Sequence, residues 1–476
     1  MPPVAPDPTL SSVVPAVLSE STHAAGPNLA PITLSVRPAA VERIRRGAQT
    51  LRREDLLALP AGLPAGAPVA LCDDRGRSLG SGFLAAPGPT SLIVRLFDRE
   101  GAALGEALLL SRLRHAHALR QALWTSDSER DPRTATSTAH ERDAYRLVHG
   151  EADGLPGLFI DRYGEAAVIQ TATAAMDARK DRIAALLHQQ LGIRWVVCRD
   201  DGSARDLEGL PRERRLLLDT RSARAHVPHS AVAPSPTLAQ FHDAGSRMQA
   251  DLLFDKKTGS FLDQQENHAR AAAYARRLFA DRPGGPATAL DTFTYHGGFA
   301  LALARAGLSV MACDEDRDAI ARARHNADLN GVTVDFRIEN AFDLLRRMES
   351  QGARFDVVVV DPPALAKRGR DRTWTAGRST GHAPAGSDEN SAWARAYREL
   401  NLRAMRLLAP GGLLVTCSCS GRVSQAAFGE LLHTAASDAR RSLQLLERRG
   451  AGPDHPVLLG WSESEYLKCW FLRALS

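Results

Sequence analysis

Phe355-Asp-Val-Val-Val-Val-Asp361-Pro362-Pro363-Ala364 places four consecutive valines before an acid and two prolines. A short run of β-branched residues bounded by turn formers reads as a buried strand, here expected over Asp356 to Val360. Ligands of open α/β sheets bind outside the carboxyl ends of their strands, so Asp361 falls where such a sheet does its chemistry. The two prolines remove backbone donors and stiffen the loop. They leave carbonyls free to engage a base or a cofactor, while Asp361 is suited to exchanging a proton at a ring nitrogen.

Upstream, a strand expected over Ala289 to Phe293 leads into Asp291-Thr-Phe-Thr-Tyr-His-Gly297-Gly298-Phe299, with a helix beginning near Phe299. Gly297 and Gly298 let a nucleotide approach the backbone closely. The next strand, Ser309 to Cys313, runs into Asp314, 23 residues after Asp291 and near the offset at which an acid binds ribose hydroxyls in Rossmann-type sites. The pyrophosphate fingerprint G-x-G-x-x-G is absent, which favours a ligand with one ribose and no phosphate, such as S-adenosylmethionine, over a dinucleotide. Downstream, Pro410-Gly-Gly-Leu-Leu-Val-Thr416-Cys417-Ser418-Cys419-Ser420 reads as a further strand over Gly412 to Thr416. Cys417 and Cys419, two apart, are expected to point the same way at the edge of the cofactor cleft. A thiol near a positive charge or a helix N-terminus is a nucleophile, whereas a buried cysteine is a small hydrophobe. With no paired C-x-x-C or H-x-x-x-H nearby, no metal site is expected.

The alternation of apolar strand, glycine turn and amphipathic helix from Ala289 onward is the rhythm of a doubly wound, mostly parallel sheet. Before it, short alternating runs (Val69 to Cys72, Gly80 to Ala85, Ser91 to Phe97) suggest a small β-rich domain. A helix over Arg112 to Trp124 and a polar linker over Thr125 to His140 follow. A second unit has strands at Leu158 to Asp161, Ala167 to Thr171 and Trp195 to Cys198, with a helix over Asp177 to Leu191 capped by Asp177 and closed by Gly192. Residues 1–30, rich in proline, serine and alanine, read as a flexible tail. The chain has 476 residues, 44% of them hydrophobic, and a net charge of +5, as expected of a globular protein of about three domains. No apolar stretch of about 18 residues suggests a membrane span, and the first basic residue is Arg37, so no leader is expected and the cytoplasm is the expected location. Only five of the sixty basic residues are lysines. Arginine suits planar, bidentate phosphate and base-edge contacts, and codon bias is the alternative source of the excess; a net charge of +5 does not by itself establish a nucleic-acid partner.

In combination, Arg146-Leu-Val-His-Gly-Glu-Ala-Asp-Gly-Leu-Pro-Gly-Leu-Phe-Ile-Asp161-Arg-Tyr163-Gly164, Lys257-Thr-Gly-Ser-Phe261-Leu-Asp263-Gln264, Asp361-Pro-Pro, Thr416-Cys-Ser-Cys-Ser420 and Pro453-Asp-His-Pro456 resemble the large-subunit ribosomal RNA methyltransferase I family. The resemblance implies S-adenosylmethionine-dependent formation of 5-methylcytosine in 23S rRNA or a large-subunit precursor. It implies an α/β chain with a PUA-like RNA-binding domain over 31–112, a central β-β-α-β-β domain with its leading helix and linker over 113–230, and a C-terminal Rossmann-like class I methyltransferase domain over 231–476. Cofactor residues carry over to Phe261, Asp263, Asp314, Asn340 and Asp361, to which the strand-end reading adds Asp291, Gly297, Gly298 and Pro362. The nucleophile carries over to Cys419, with Cys417 as fallback, and Asp361 is the expected partner of the ring nitrogen. No membrane partner is expected, and a homodimer stays open. The chain departs from the family pattern at Gln265, His296 and Asn340, and the loss of positive charge around Gln265 and His268 is expected to weaken cofactor binding. A long stretch after Asp-Pro-Pro carries Lys367, Arg368, Arg370, Arg372, Trp374 and Arg378, a mixture suited to gripping phosphates and stacking on a base. Two alternatives are a nitrogen methyltransferase, for example one making 7-methylguanine, and a non-catalytic RNA-binding assembly factor.

Overall fold

The computed structural model describes residues 31–86, 92–102, 105–125, 142–221, 235–281, 284–365, 391–461 and 464–475. The expected tail, the polar linker after Thr125 and the Lys367 to Arg378 stretch lie outside them.

Five strands form the first sheet: β1 (Ile32–Ser35), β2 (Thr50–Arg52), β3 (Pro68–Cys72), β4 (Ser78–Leu84) and β5 (Leu92–Asp98), adjacent in the order β1-β3-β4-β5-β2. Helix α1 (Pro38–Arg45) starts on a proline, whose missing N–H is no loss in a first turn, and buries Ala40, Val41 and Ile44. Helix α2 (Glu106–Thr125) starts six residues before the expected Arg112. Its Leu109, Leu113 and Ala116 pack with Phe83 and Phe97 of the first sheet and with Tyr145 and Leu147 of the second. The expected boundary at 112/113 therefore falls inside one helix that serves both sheets.

The second sheet carries β6 (Ala144–His149), β7 (Leu158–Tyr163), β8 (Ala166–Thr171), β9 (Trp195–Asp200) and β10 (Glu213–Asp219), adjacent in chain order. Three strands precede its helices rather than the two of the expected β-β-α-β-β unit. The additional strand is β6, whose alternation is broken by a register shift between Arg146 and Val148. The helix expected over Asp177 to Leu191 is split into α3 (Ala174–Asp177) and α4 (Lys180–Leu191). Thr173, not Asp177, caps the first turn by accepting from the Met176 N–H. Asp177 is drawn away to Lys180 and Arg205, each 2.8 Å distant. Gly192 closes α4 at φ 66°, as expected.

A hairpin of β11 (Leu238–Asp243) and β12 (Ser246–Asp251) links the second sheet to the last, with Phe241 edge-on to Tyr163 at 5.1 Å. The last sheet comprises β13 (Thr288–Asp291), β14 (Ser309–Asp314), β15 (Val334–Ile338), β16 (Phe355–Val360), β17 (Leu408–Ser418), β18 (Leu443–Arg449) and β19 (Lys468–Ala474). Its order is β15-β14-β13-β16-β17-β19-β18, with β19 antiparallel to both neighbours and the rest parallel. Helices α5 (Gln265–Phe279), α6 (Gly298–Arg305), α7 (Arg317–Asn330), α8 (Ala341–Ser350), α9 (Ala392–Leu407) and α10 (Gln425–Ala439) cover it. The four valines of β16 alternate between two cores: Val357 and Val359 in one, Val358 and Val360 in the other. All four are fully buried. Burial of each contributes about 1.5–3 kcal/mol, which accounts for an unbroken valine run where a one-faced strand would alternate. Among the described residues no helix is long and apolar enough to cross a membrane.

Candidate active site

Because β13, β14, β16 and β17 are parallel neighbours, their carboxyl ends meet at one edge, and each delivers a polar residue there. β13 stops at Asp291, two residues short of the expected end, because the Thr292 N–H and hydroxyl both turn to the Val359 carbonyl, at 3.1 and 2.8 Å. Asp291 is fully buried and neither of its carboxylate oxygens finds a hydrogen-bond partner among the described residues. Burial pushes its carboxyl up to about 6. The following turn holds Tyr295 at φ 50° and Gly297 at φ 95°. Backbone strain at a non-glycine residue costs of order 1–3 kcal/mol and is sustained by the surroundings; here the Tyr295 N–H donates to Asp314 Oδ2 at 3.0 Å. The Asp316 N–H takes Oδ1 at 3.0 Å, leaving each Asp314 oxygen further acceptor capacity. Gly298 must be bare for a different reason: a Cβ there would lie 2.3 Å from the His268 ring. Asn340, exposed on the same edge, caps α8, its Oδ1 accepting from the Phe342 N–H at 3.0 Å while Nδ2 donates to Glu315 at 3.2 Å.

Phe261 and Asp263 arrive from the segment before α5. Their loop is fastened to the second sheet: Thr258 donates to Asp161 at 2.6 Å, the Ser260 N–H donates to the Tyr163 hydroxyl at 3.1 Å, and Arg146 holds Asp161 with two bonds. Phe261 stands edge-on to Tyr295 at 5.0 Å. Asp263 accepts from the Tyr466 hydroxyl at 2.6 Å. Gln264 donates to Asp361 Oδ2 at 2.9 Å, but burial and the nearby Asp263 carboxylate dominate and push the Asp361 carboxyl up to about 7. Gln265 is buried, with its Nε2 unpartnered among the described residues. His268, where the pattern suggested lost positive charge, sits against a carboxylate. Burial opposes its protonation, but Asp243, 2.9 Å from Nδ1, outweighs burial and raises the imidazole above its ordinary value, helped by Asp361 and Asp291. His296 is the opposite case: burial lowers it to about 3 and keeps it neutral, stacked on Tyr295 at 3.7 Å.

The two thiols also separate. β17 ends at Ser418, so strand alternation does not carry through to Cys419. Cys417 is fully buried in the core opposite Cys469, with Gln264 and Asp361 near its thiol, and burial holds that thiol far above the usual range. Cys419 is half-buried just beyond the strand and its Sγ lies 3.9 Å from the Pro362 carbonyl oxygen. Burial, and next the Asp361 carboxylate, push this thiol up to about 11, while Lys257 opposes the rise. Tyr397, buried on α9, ties down the loop: it accepts from the Ser418 hydroxyl at 3.1 Å and shares a hydrogen bond with Ser420 at 3.3 Å.

A PUA-like domain model matches residues 34–99, and a methyltransferase domain model matches residues 286–450. The ribosomal RNA large subunit methyltransferase I of Erwinia tasmaniensis is 30% identical over 418 residues, covering 86% of this chain and 91% of its own. The chain belongs to the ribosomal RNA large subunit methyltransferase I family. The family member of Tolumonas auensis matches to the same degree, 30% over 419 residues. The fold agrees with a solved Streptococcus mutans protein assigned to the SAM-dependent methyltransferases, at TM-score 0.67 and 18% identity over 93% of this chain and all of that one. Another such structure, complexed with SAH, aligns at TM-score 0.66 and 17% identity.

In this member of the ribosomal RNA large subunit methyltransferase I family, Tyr397, Tyr466 and Lys468 escaped sequence reasoning at the site, the last being the least expected. Lys468 pairs across β17–β19 with Ser418, is 1% exposed, and donates to the carbonyls of Ser420 at 2.7 Å and Tyr466 at 2.8 Å. Burial lowers its ammonium to about 8, opposed by Cys419 and Glu465. The one signal for it is a lysine in a chain with five, set inside the apolar run Leu467 to Leu472.

Proposed function

We propose that this S-adenosylmethionine-dependent ribosomal RNA methyltransferase methylates C5 of a cytosine in 23S rRNA with Cys419 as nucleophile. The observation that carries the proposal is the half-buried Cys419 thiol beside the Asp-Pro-Pro carbonyls and a carboxyl poised at about 7.

The strand edge fits the cofactor. The unpartnered oxygens of buried Asp291 suit a cationic group such as the methionyl ammonium, and Asp314 keeps acceptor capacity for ribose hydroxyls. Phe261, Asp263, Gly297, Gly298, Asn340 and Pro362 complete the proposed contact set. Bound there, the cofactor supplies a methyl group on an electrophilic sulfonium. The chain's own residues do the rest. Cys419 gives up its proton to solvent water and its Sγ bonds to C6 of an extruded cytosine, which makes C5 nucleophilic. Asp361, about half protonated near pH 7, donates to N3 as charge develops on the ring. After C5 takes up the methyl group and loses its proton to a water molecule, the Sγ–C6 bond breaks, the thiolate is released and N3 returns its proton to Asp361.

The proposed division of labour keeps RNA contact with residues 31–112, the linking unit with 113–230 and chemistry with 231–476. It includes a cytoplasmic location and, as the oligomeric option, a homodimer, which sedimentation tests. RNA carrying 5-fluorocytidine tests the nucleophile, since C5 fluorine cannot leave as a proton. The unaltered protein should form a covalent RNA adduct that Cys419→Ala does not form while still binding cofactor. An adduct formed equally by Cys419→Ala would refute the assignment.

A further inference from the structure

A cavity of about 340 Å³ opens beside the active-site loop, between the end of β18, the start of α10 and the chain leading into β19. That volume accommodates one nucleotide. Its wall touches the site directly. Lys468 joins the carbonyl of Tyr466, which lines the cavity, to that of Ser420, next to Cys419. A Cβ on Gly421 would lie 3.8 Å from that of Tyr466. Tyr466 serves both places, since its hydroxyl donates to Asp263.

The lining sets two arginines, Arg448 and Arg449, against one carboxylate, Glu465, and it is incompletely partnered. Arg448 lies 4.5 Å over the Trp470 ring, and Trp470 Nε1 donates to Gln425 at 2.9 Å, so a platform of two lining residues and an indole is already built. Neighbouring Arg449 is satisfied by Glu447 and Asn267. Arg448, by contrast, has no carboxylate within 4.0 Å among the described residues, which leaves its planar fork for an external anion. Beyond the cavity, Val457 is 50% and Leu459 90% exposed. The same loop reaches the first sheet's side of the molecule, where a Cβ on Gly460 would meet the Arg46 carbonyl at 3.4 Å. A strand of RNA laid along this loop would run from the PUA-like domain to Cys419.

We propose that this cavity seats the ribonucleotide adjacent to the target cytosine, its phosphate on the Arg448 guanidinium and its base between Tyr466 and the exposed Val457. The proposal rests on the RNA-methylating reading above. It deepens that reading by assigning a subsite that holds the flanking strand while the target base is out of the stack.

The test measures methyl transfer to 23S rRNA isolated from a strain lacking the gene. Arg448→Ala should raise the KM for rRNA about tenfold, as expected for a lost charge-assisted phosphate contact, and should lower the salt slope of binding by about 0.7. The kcat and the cofactor Kd should not move. Ser464→Trp, which fills the cavity without changing charge, should raise KM as well. Arg276→Ala, an exposed arginine on α5, should leave KM unchanged and so reports any general charge effect. A KM within twofold of the unaltered protein in both cavity variants, or an equal rise in Arg276→Ala, would overturn the subsite while leaving the methyltransferase reading intact. No transfer by the unaltered protein would overturn both.

Discussion

Replacing Asp361 with Asn should stabilise the fold and disable the enzyme, and the size of the first effect follows from the carboxyl's surroundings. Burial and the Asp263 carboxylate raise Asp361 to about 7, against about 3.9 in an unfolded chain. Because the folded value is the higher one, the native state favours the protonated acid. The stability this confers is complete below pH 4 and is lost as pH rises to about 7. At about 1.4 kcal/mol per unit, the penalty for ionising Asp361 grows from about 1.5 kcal/mol at pH 5 to about 4 kcal/mol at pH 8. Asn carries no charge, keeps an acceptor for Gln264 and escapes the penalty. Urea unfolding of both proteins between pH 4 and 8 should give curves that diverge with pH in favour of Asp361→Asn. Methyl transfer should fall about 10²- to 10⁴-fold in the same variant, the range for loss of a general acid. A stability difference independent of pH would refute the claim that this carboxyl is held protonated by burial.

Other outcomes follow from the same geometry. Cys417→Ser should lower stability by about 1–3 kcal/mol, the cost of placing a hydroxyl where a thiol is buried, yet retain methyl transfer, as calorimetry and an activity assay would show. Gly298→Ala drives a methyl group into the His268 ring, so cofactor affinity measured by calorimetry should fall together with thermal stability. The pH–rate profile of the unaltered protein should inflect near pH 8, and Lys468→Met, which removes the ammonium that bridges Ser420 and Tyr466, should abolish that inflection.

What could be read in the sequence was local, and what could not was set by distant pairings. The valine run before Asp361 and the glycine turn before Phe299 carry their meaning in consecutive residues, and both stand at the carboxyl edge of the parallel sheet. The two cysteines looked equivalent because strand periodicity was carried one residue too far. The end of β17 at Ser418 separates a core thiol from an accessible one. Lys468 lies 49 residues beyond Cys419 and reaches it only through an antiparallel register that no periodicity encodes. The carboxylate that raises His268, Asp243, sits on the β11–β12 hairpin and stays hidden until the chain is folded.

The central claim is that Cys419 makes 5-methylcytosine in large-subunit rRNA. Bisulfite sequencing of 23S rRNA from a strain lacking the gene, complemented with either the wild-type gene or Cys419→Ala, tests it most directly. The account predicts one unconverted cytosine that disappears on deletion, returns with the wild-type gene and stays absent with Cys419→Ala. A mark that survives deletion, or one that Cys419→Ala restores in full, would contradict it.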